Sequence, residues 1–309
     1  MSRLRFTGIL MQFLLLSSFA FASGGKEKAV SVPRPKIAVS ILPQAYFVER
    51  IGGERVSVIV LVGPGQNPHS YEPTPRQMEE LSQAKAWILS NTEFEIALKP
   101  KIASLYPGLK IVDGTEGVRF RQMEAHTHEE GEQGEEEQEI DVPGNIDRHT
   151  WLGHEPAKIM ARHIRDTLSM IDPAGTPEYE RGYEALATDI DREFGRLKDE
   201  LAPLSGRTVF VFHPSFGYFF DEFGIQQEAV ETGGKEPTAK ALASLIEKAR
   251  EEKVKAIFVQ AQFPAHAAQT VANAVGAEVV PLDPLAPDWL DNIRRMGDAL
   301  KKAFALSAQ

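Results

Sequence analysis

The strongest constraint in this 309-residue chain is a repeated alternation of short β-branched runs with amphipathic stretches, divided by one long helical period. Runs at Ile37–Ile41, Val56–Val62, Ala86–Ser90 and Lys110–Val112 read as strands in the first half, and Thr208–Phe212, Ala256–Gln260 and Glu278–Leu282 in the second. Helix starts lie between them. Thr74-Pro75-Arg76-Gln77 combines capping-box spacing with proline at the first helical position. Thr238 precedes a stripe of Leu242, Leu245, Ile246 and Ala249, and Pro156 opens a helix that sets Ile159, Met160, Ile164 and Leu168 on one side. This βαβα order predicts an α/β fold: two similar lobes, each a parallel sheet flanked by helices. Between the halves, Tyr179, Tyr183, Leu186, Ile190, Phe194 and Leu197 recur at spacings of three and four. About 25 helical residues at 1.5 Å rise span nearly 40 Å, so one stiff helix is expected to join the lobes. The expected organisation is a first lobe over 36–175, a linking helix over 176–204 and a second lobe over 205–309.

The N-terminus has a different composition. Arg3 and Arg5 precede an apolar stretch from Ile9 to Phe21, and Ala20-Phe21-Ala22 supplies an A-x-A cleavage signal. Residues 1–22 therefore read as a signal peptide cut after Ala22, the apolar stretch being shorter than the roughly 20 residues that span a bilayer. Residues 23–35, with Gly24-Gly25, Pro33 and Pro35, read as a flexible leader. The chain has no cysteine. That excludes disulfides, thiolate metal sites and a lipid-anchored cysteine, so the exported chain is expected to be periplasmic and untethered. A net charge of −10 argues against nucleic-acid binding, which needs a basic surface. The charge is local: residues 122–147 hold ten acidic side chains and no Lys or Arg, leaving the rest of the exported chain close to neutral. With no apolar period, that segment reads as a disordered loop carrying His126 and His128.

Three of the eight histidines occupy similar contexts. His69 lies in Asn67-Pro68-His69-Ser70-Tyr71-Glu72-Pro73, after a strand. His149 lies in Asp147-Arg148-His149-Thr150-Trp151-Leu152, before a helix, and His213 follows the strand ending at Phe212. Asp283 ends the last strand in the same way. Open α/β sheets bind ligands outside the carboxyl ends of their strands, so two facing lobes would bring these four side chains to one cleft. Three imidazoles and a carboxylate suit four-coordinate Zn²⁺. His163 and His266 fall on expected helices as solvent-facing or packed residues, and His154 reads as a surface residue near a helix start.

NPHSYEP, DRHTWLG, VFHPSFGYFFDEFG and PLDPL, in that order, resemble the metal-binding solute-binding proteins of ABC importers, in their zinc branch (ZnuA/TroA-like). The resemblance covers essentially the whole chain after the signal peptide. It implies a receptor, not an enzyme, with two α/β lobes, a rigid linking helix and the metal in the interlobe cleft. It further implies His69, His149 and His213 as ligands and Asp283 as the fourth, at a position where relatives use aspartate, glutamate or water. Manganese relatives carry a carboxylate where this chain has His213, so nitrogen-rich ligation favours zinc. Two departures stand out: Arg148 replaces the usual proline before His149, and Gly153-His154 replaces an acidic residue after Trp151-Leu152. Glu72 is expected to orient a ligand or cap the Thr74 helix, and the acidic loop with His126 and His128 either to collect metal loosely or to be a plain solvated tether. The resemblance implies a monomer with two partners, the metal ion and an inner-membrane ABC permease. The alternatives are a manganese or iron receptor on the same scaffold and a zinc-dependent hydrolase; no H-E-x-x-H or nucleophile motif favours the latter.

Overall fold

In the computed structural model, which describes residues 34–123, 146–231, 238–263 and 266–307, the alternation resolves into two four-stranded parallel sheets. The expected signal peptide, most of the leader, and His126 and His128 lie outside the described residues. Strands β1 (Lys36–Val39), β2 (Ser57–Val60), β3 (Ala86–Leu89) and β4 (Lys110–Asp113) form the first sheet in the order β2-β1-β3-β4. Strands β5 (Thr208–Val211), β6 (Gln226–Ala229), β7 (Ala256–Val259) and β8 (Glu278–Pro281) repeat that order as β6-β5-β7-β8. Each sheet reverses its winding direction beside its first strand, which opens a crevice at the carboxyl ends of β1 and β3 and again at those of β5 and β7.

Helices α1 (Leu42–Gly52), α2 (Pro75–Ser82), α3 (Glu93–Leu105), α4 (His154–Ile171), α5 (Thr176–Leu201), α6 (Gly217–Asp221), α7 (Ala239–Glu251), α8 (His266–Val275) and α9 (Trp289–Ser307) complete the fold. The expected caps form. Thr74 Oγ1 accepts from the Gln77 amide at 3.3 Å and Gln77 Oε1 accepts from the Thr74 amide at 3.0 Å, closing the capping box on α2. Thr238 Oγ1 accepts from the Ala241 amide at the start of α7. Helix α4 begins at His154, two residues ahead of Pro156; proline fits there because the first turn of a helix has no internal partner for its amide.

The second sheet is apolar on both faces, and its residues alternate between two clusters. Val209 and Val211 join the main core, whereas Phe210 and Phe212 join a second cluster with α7 and α8 residues such as Leu245 and Val271. Strand alternation puts successive side chains on opposite faces. Strand β6 was not foreseen. Its sequence Gln-Gln-Glu-Ala has little strand propensity, and it is held as an edge strand against β5.

Helix α5 is the long connection expected between the lobes. Tyr179, Leu186, Ile190, Phe194, Leu197 and Leu201 are each at most 3% exposed along it, and it packs against α1, α4 and α9. Helix α9 follows the second sheet yet returns along α5, so that its Trp289 meets Phe47 of α1 edge-on at 4.9 Å between ring centroids. Two tryptophans fasten the lobes reciprocally: Trp151 Nε1 donates to the Pro284 carbonyl and Trp289 Nε1 to the Trp151 carbonyl, both at 2.8 Å. Among the described residues, no helix is long and apolar enough to cross a membrane.

Candidate metal centre

His69 sits in a short 3-10 turn, Pro68–Ser70, that follows β2 and is held by Asn67, whose Oδ1 accepts from the His69 amide at 2.9 Å. His149 precedes the turn Thr150–Leu152 that leads into α4, and His213 lies two residues past the end of β5, at the reversal point of the second sheet. The three imidazoles meet. His69 Nε2 lies 3.0 Å from His213 Nε2, which lies 3.3 Å from His149 Nε2. Two nitrogens bound tetrahedrally to one zinc at 2.0–2.1 Å would stand about 3.3 Å apart, so the spacing fits a single Zn²⁺ held between them.

Each ring is oriented from its other nitrogen by a carboxylate. Nδ1 of His69 faces Glu93 Oε2 at 3.1 Å, Nδ1 of His149 faces Asp147 Oδ1 at 2.8 Å, and Nδ1 of His213 faces Glu231 Oε1 at 2.6 Å. A carboxylate only accepts, so each contact places the proton on Nδ1 and leaves the Nε2 lone pair for a metal. This carboxylate–imidazole–metal pattern fixes ring orientation and raises ligand basicity. Burial holds the His213 imidazole down to about 4, despite the Glu231 hydrogen bond that favours its charged form, so it is neutral at physiological pH. Burial would push Glu93 up, but the hydrogen bond from His69 brings it down to about 2. Asp147 follows the same pattern: burial opposes its charge and the His149 contact outweighs it, keeping the carboxyl below the usual range.

Asp147 is fully buried and carries a second partner. Its Oδ2 accepts from Arg121 Nη1 at 2.9 Å, and Arg121 Nε also reaches Asp221 Oδ2 at 2.8 Å on α6. Gly217 makes room for that guanidinium, since a Cβ there would fall 1.7 Å from Arg121 Nη1. Next to the segment 124–145, an antiparallel bridge pairs Gln122 with Ile146, and the Asp147 amide donates to the Arg121 carbonyl at 3.0 Å. The acidic segment therefore leaves and rejoins the fold at a neck beside His149.

The cleft has about 380 Å³ of open space and is lined by the three histidines, Glu93, Arg148, Trp151 and Gln262, among others. Phe263 stacks on His213 with ring centroids 4.6 Å apart. Arg148 donates to the Asn91 carbonyl at 3.0 Å and lies 3.9 Å from Glu93.

The structure brings together His69, His149 and His213 and leaves Asp283 outside that group. Asp283 Oδ1 is taken by the Leu285 amide at 2.9 Å and by Gln262 Nε2 at 2.8 Å, a turn that draws the carboxylate back onto its own loop. Glu72 is exposed; Glu93 orients His69, and Thr74 with Gln77 makes the cap. His154 stacks on Phe194 at 4.9 Å and meets Asp191, in a group with Glu155 whose carboxylates are also engaged by Lys158. His163 Nε2 pairs with the Glu116 carbonyl, and His266 begins α8. Glu93 and Glu231 were missed because they lie 24 and 18 residues from their histidines, although Glu93 opens α3 just four residues past β3, at the reversal point of the first sheet.

Comparison with known proteins agrees with the geometry. Residues 37–303 match the family described as ZnuA, zinc-uptake complex component A, periplasmic. The high-affinity zinc uptake system protein ZnuA of Brucella suis biovar 1 is 26% identical, over 94% of this chain and 98% of that one. A crystal structure of ZnuA superposes with a TM-score of 0.79 at 33% identity, over 88% of this chain and 99% of that chain. A zinc-bound ZnuA deletion variant gives 0.78 at 33% identity, over 88% and 98%. The periplasmic zinc-binding protein TroA from Treponema pallidum shares the fold at a TM-score of 0.76 and 18% identity, over 88% and 99%. The chain is a member of the ZnuA family of periplasmic zinc-uptake components.

Proposed function

We propose that this protein is the receptor of a periplasmic ABC zinc uptake system, binding one Zn²⁺ with His69, His149 and His213 and delivering it to an inner-membrane permease. The observation that carries the reading is the convergence of three Nε2 atoms, each backed by a carboxylate on Nδ1. Imidazole-rich ligation suits zinc better than the oxygen-seeking manganese ion, which weakens the manganese alternative. Three imidazoles serve as ligands, and the fourth position is left to water. The metal is cargo in this reading and the protein performs no chemistry on it. Domain limits of 36–175, 176–204 and 205–309 belong to the same proposal; one four-stranded sheet on each side of α5 supports it, and α9 packs back along that helix.

Localisation belongs to the same proposal. Residues 1–22 are a signal peptide, the mature chain is free in the periplasm for want of a cysteine to carry lipid, and it acts as a monomer. His126 and His128, in the acidic segment whose neck adjoins His149, collect zinc loosely and raise its concentration near the cleft. The test is a competition titration of Zn²⁺ against Mn²⁺ on purified mature protein, with and without residues 124–139. One tight zinc per chain, preferred over manganese and retained in the deletion, is expected. Preference for manganese, or loss of the tight site in the deletion, would overturn the assignment.

A further inference from the structure

The loop after β7 enters the same cleft and carries a polar atom that nothing so far accounts for. Gln262 lies three residues past β7 and lines the cleft beside the three histidines. Its Nε2 donates to Asp283 Oδ1 at 2.8 Å. Because a carboxylate only accepts, that contact determines which end of the amide is which: nitrogen toward Asp283, oxygen away from it. Asp283 is itself held by the Leu285 amide at 2.9 Å, so the carboxylate is a fixed anchor for the side chain. The freed Oε1 is buried and has no hydrogen-bond partner among the described residues. An orphaned buried acceptor is uncommon and signals a missing partner such as water or an ion. No histidine nitrogen hydrogen-bonds to Oε1. Three nitrogen ligands leave a fourth position that water fills readily.

We propose that Gln262 Oε1 accepts a hydrogen bond from the water that completes the bound metal's shell, and that Asp283 is the positioning residue that aims the amide. This rests on the three-histidine reading above. Gln262 is a neutral acceptor: it holds the water in place without taking its proton, and the metal retains one labile ligand for release. Asp283 contributes without touching the ion, which gives a positioning role to a residue the sequence offered as a ligand.

The test uses the mature protein loaded with Co²⁺, whose visible spectrum reports the shell, and azide as a probe that displaces bound water. Gln262→Met keeps the side-chain length and removes the acceptor. It should weaken metal binding roughly threefold to tenfold, the worth of one neutral hydrogen bond, and tighten azide binding. Asp283→Asn should reproduce the azide effect in part while leaving the cobalt bands of the azide-free protein in place. Unchanged metal and azide affinities in Gln262→Met would overturn the proposal. So would a changed azide-free cobalt spectrum in Asp283→Asn with none in Gln262→Met, which would make Asp283 a direct ligand. A wild-type cobalt spectrum in His213→Ala would instead sink the three-histidine reading, so the two failures are distinguishable.

Discussion

Replacing Glu231 by Gln separates metal affinity from apo stability, because the lost charge counts most when the metal is bound. Glu231 is 1% exposed and its Oε1 lies 2.6 Å from His213 Nδ1, a short contact of the charge-assisted kind. When Zn²⁺ binds at Nε2, the carboxylate stabilises positive charge transmitted through the ring. Gln keeps the shape and an acceptor oxygen for Nδ1–H but loses that charge. Removing such a partner costs roughly 10- to 100-fold in metal affinity, about 1.4 to 2.8 kcal/mol. In the apo protein the amide oxygen can still accept from Nδ1–H, so the loss of the charge costs little there. Competition titration should show the affinity loss, while differential scanning calorimetry of the apo variant shows a Tm close to wild type. Unchanged zinc affinity would refute the argument. A lowered apo Tm together with an equal loss of metal-induced stabilisation would reduce Glu231 to packing.

Two further outcomes follow from the same geometry. His213 is held at about 4 when folded against 6.5 when unfolded, so its contribution is complete above pH 6.5 and is lost as pH falls toward 4, about 3 kcal/mol in all. Urea midpoints of the apo protein should therefore drop more steeply over that window than those of His213→Gln; parallel curves would contradict the burial argument. Gly217→Ala should displace the Arg121 guanidinium, leave Asp147 buried without its counter-charge, and destabilise the fold by about 3 kcal/mol or more, read by chemical denaturation. A wild-type midpoint in that variant would show that the pair is dispensable.

The sheets, the linking helix and the three histidines were legible because each depends on local signals. Short β-branched runs marked seven of the eight strands among the described residues, spacings of three and four gave α5, and Thr74 and Thr238 marked helix starts through chemistry confined to one turn. Strand β6 was hidden because Gln226–Ala229 is polar and owes its form to pairing with β5, a tertiary effect. Asp283 was offered as a ligand because it ends a strand as His213 does. Its direction, however, is set by the Leu285 amide and by Gln262, which no spacing reveals. The carboxylates behind the histidines divide in the same way. Asp147 is two residues from His149 and bonds both its ring and its amide, a local turn present in the sequence, whereas Glu93 and Glu231 reach their partners only through the fold.

X-ray absorption at the zinc edge of the mature, zinc-loaded protein tests the central claim most directly. One zinc per chain with three imidazole nitrogens at roughly 2.0 Å and one light oxygen neighbour is the expected shell, losing an imidazole and its tight binding in His213→Ala. An oxygen-dominated shell, or an unaltered spectrum and stoichiometry in that variant, would contradict it.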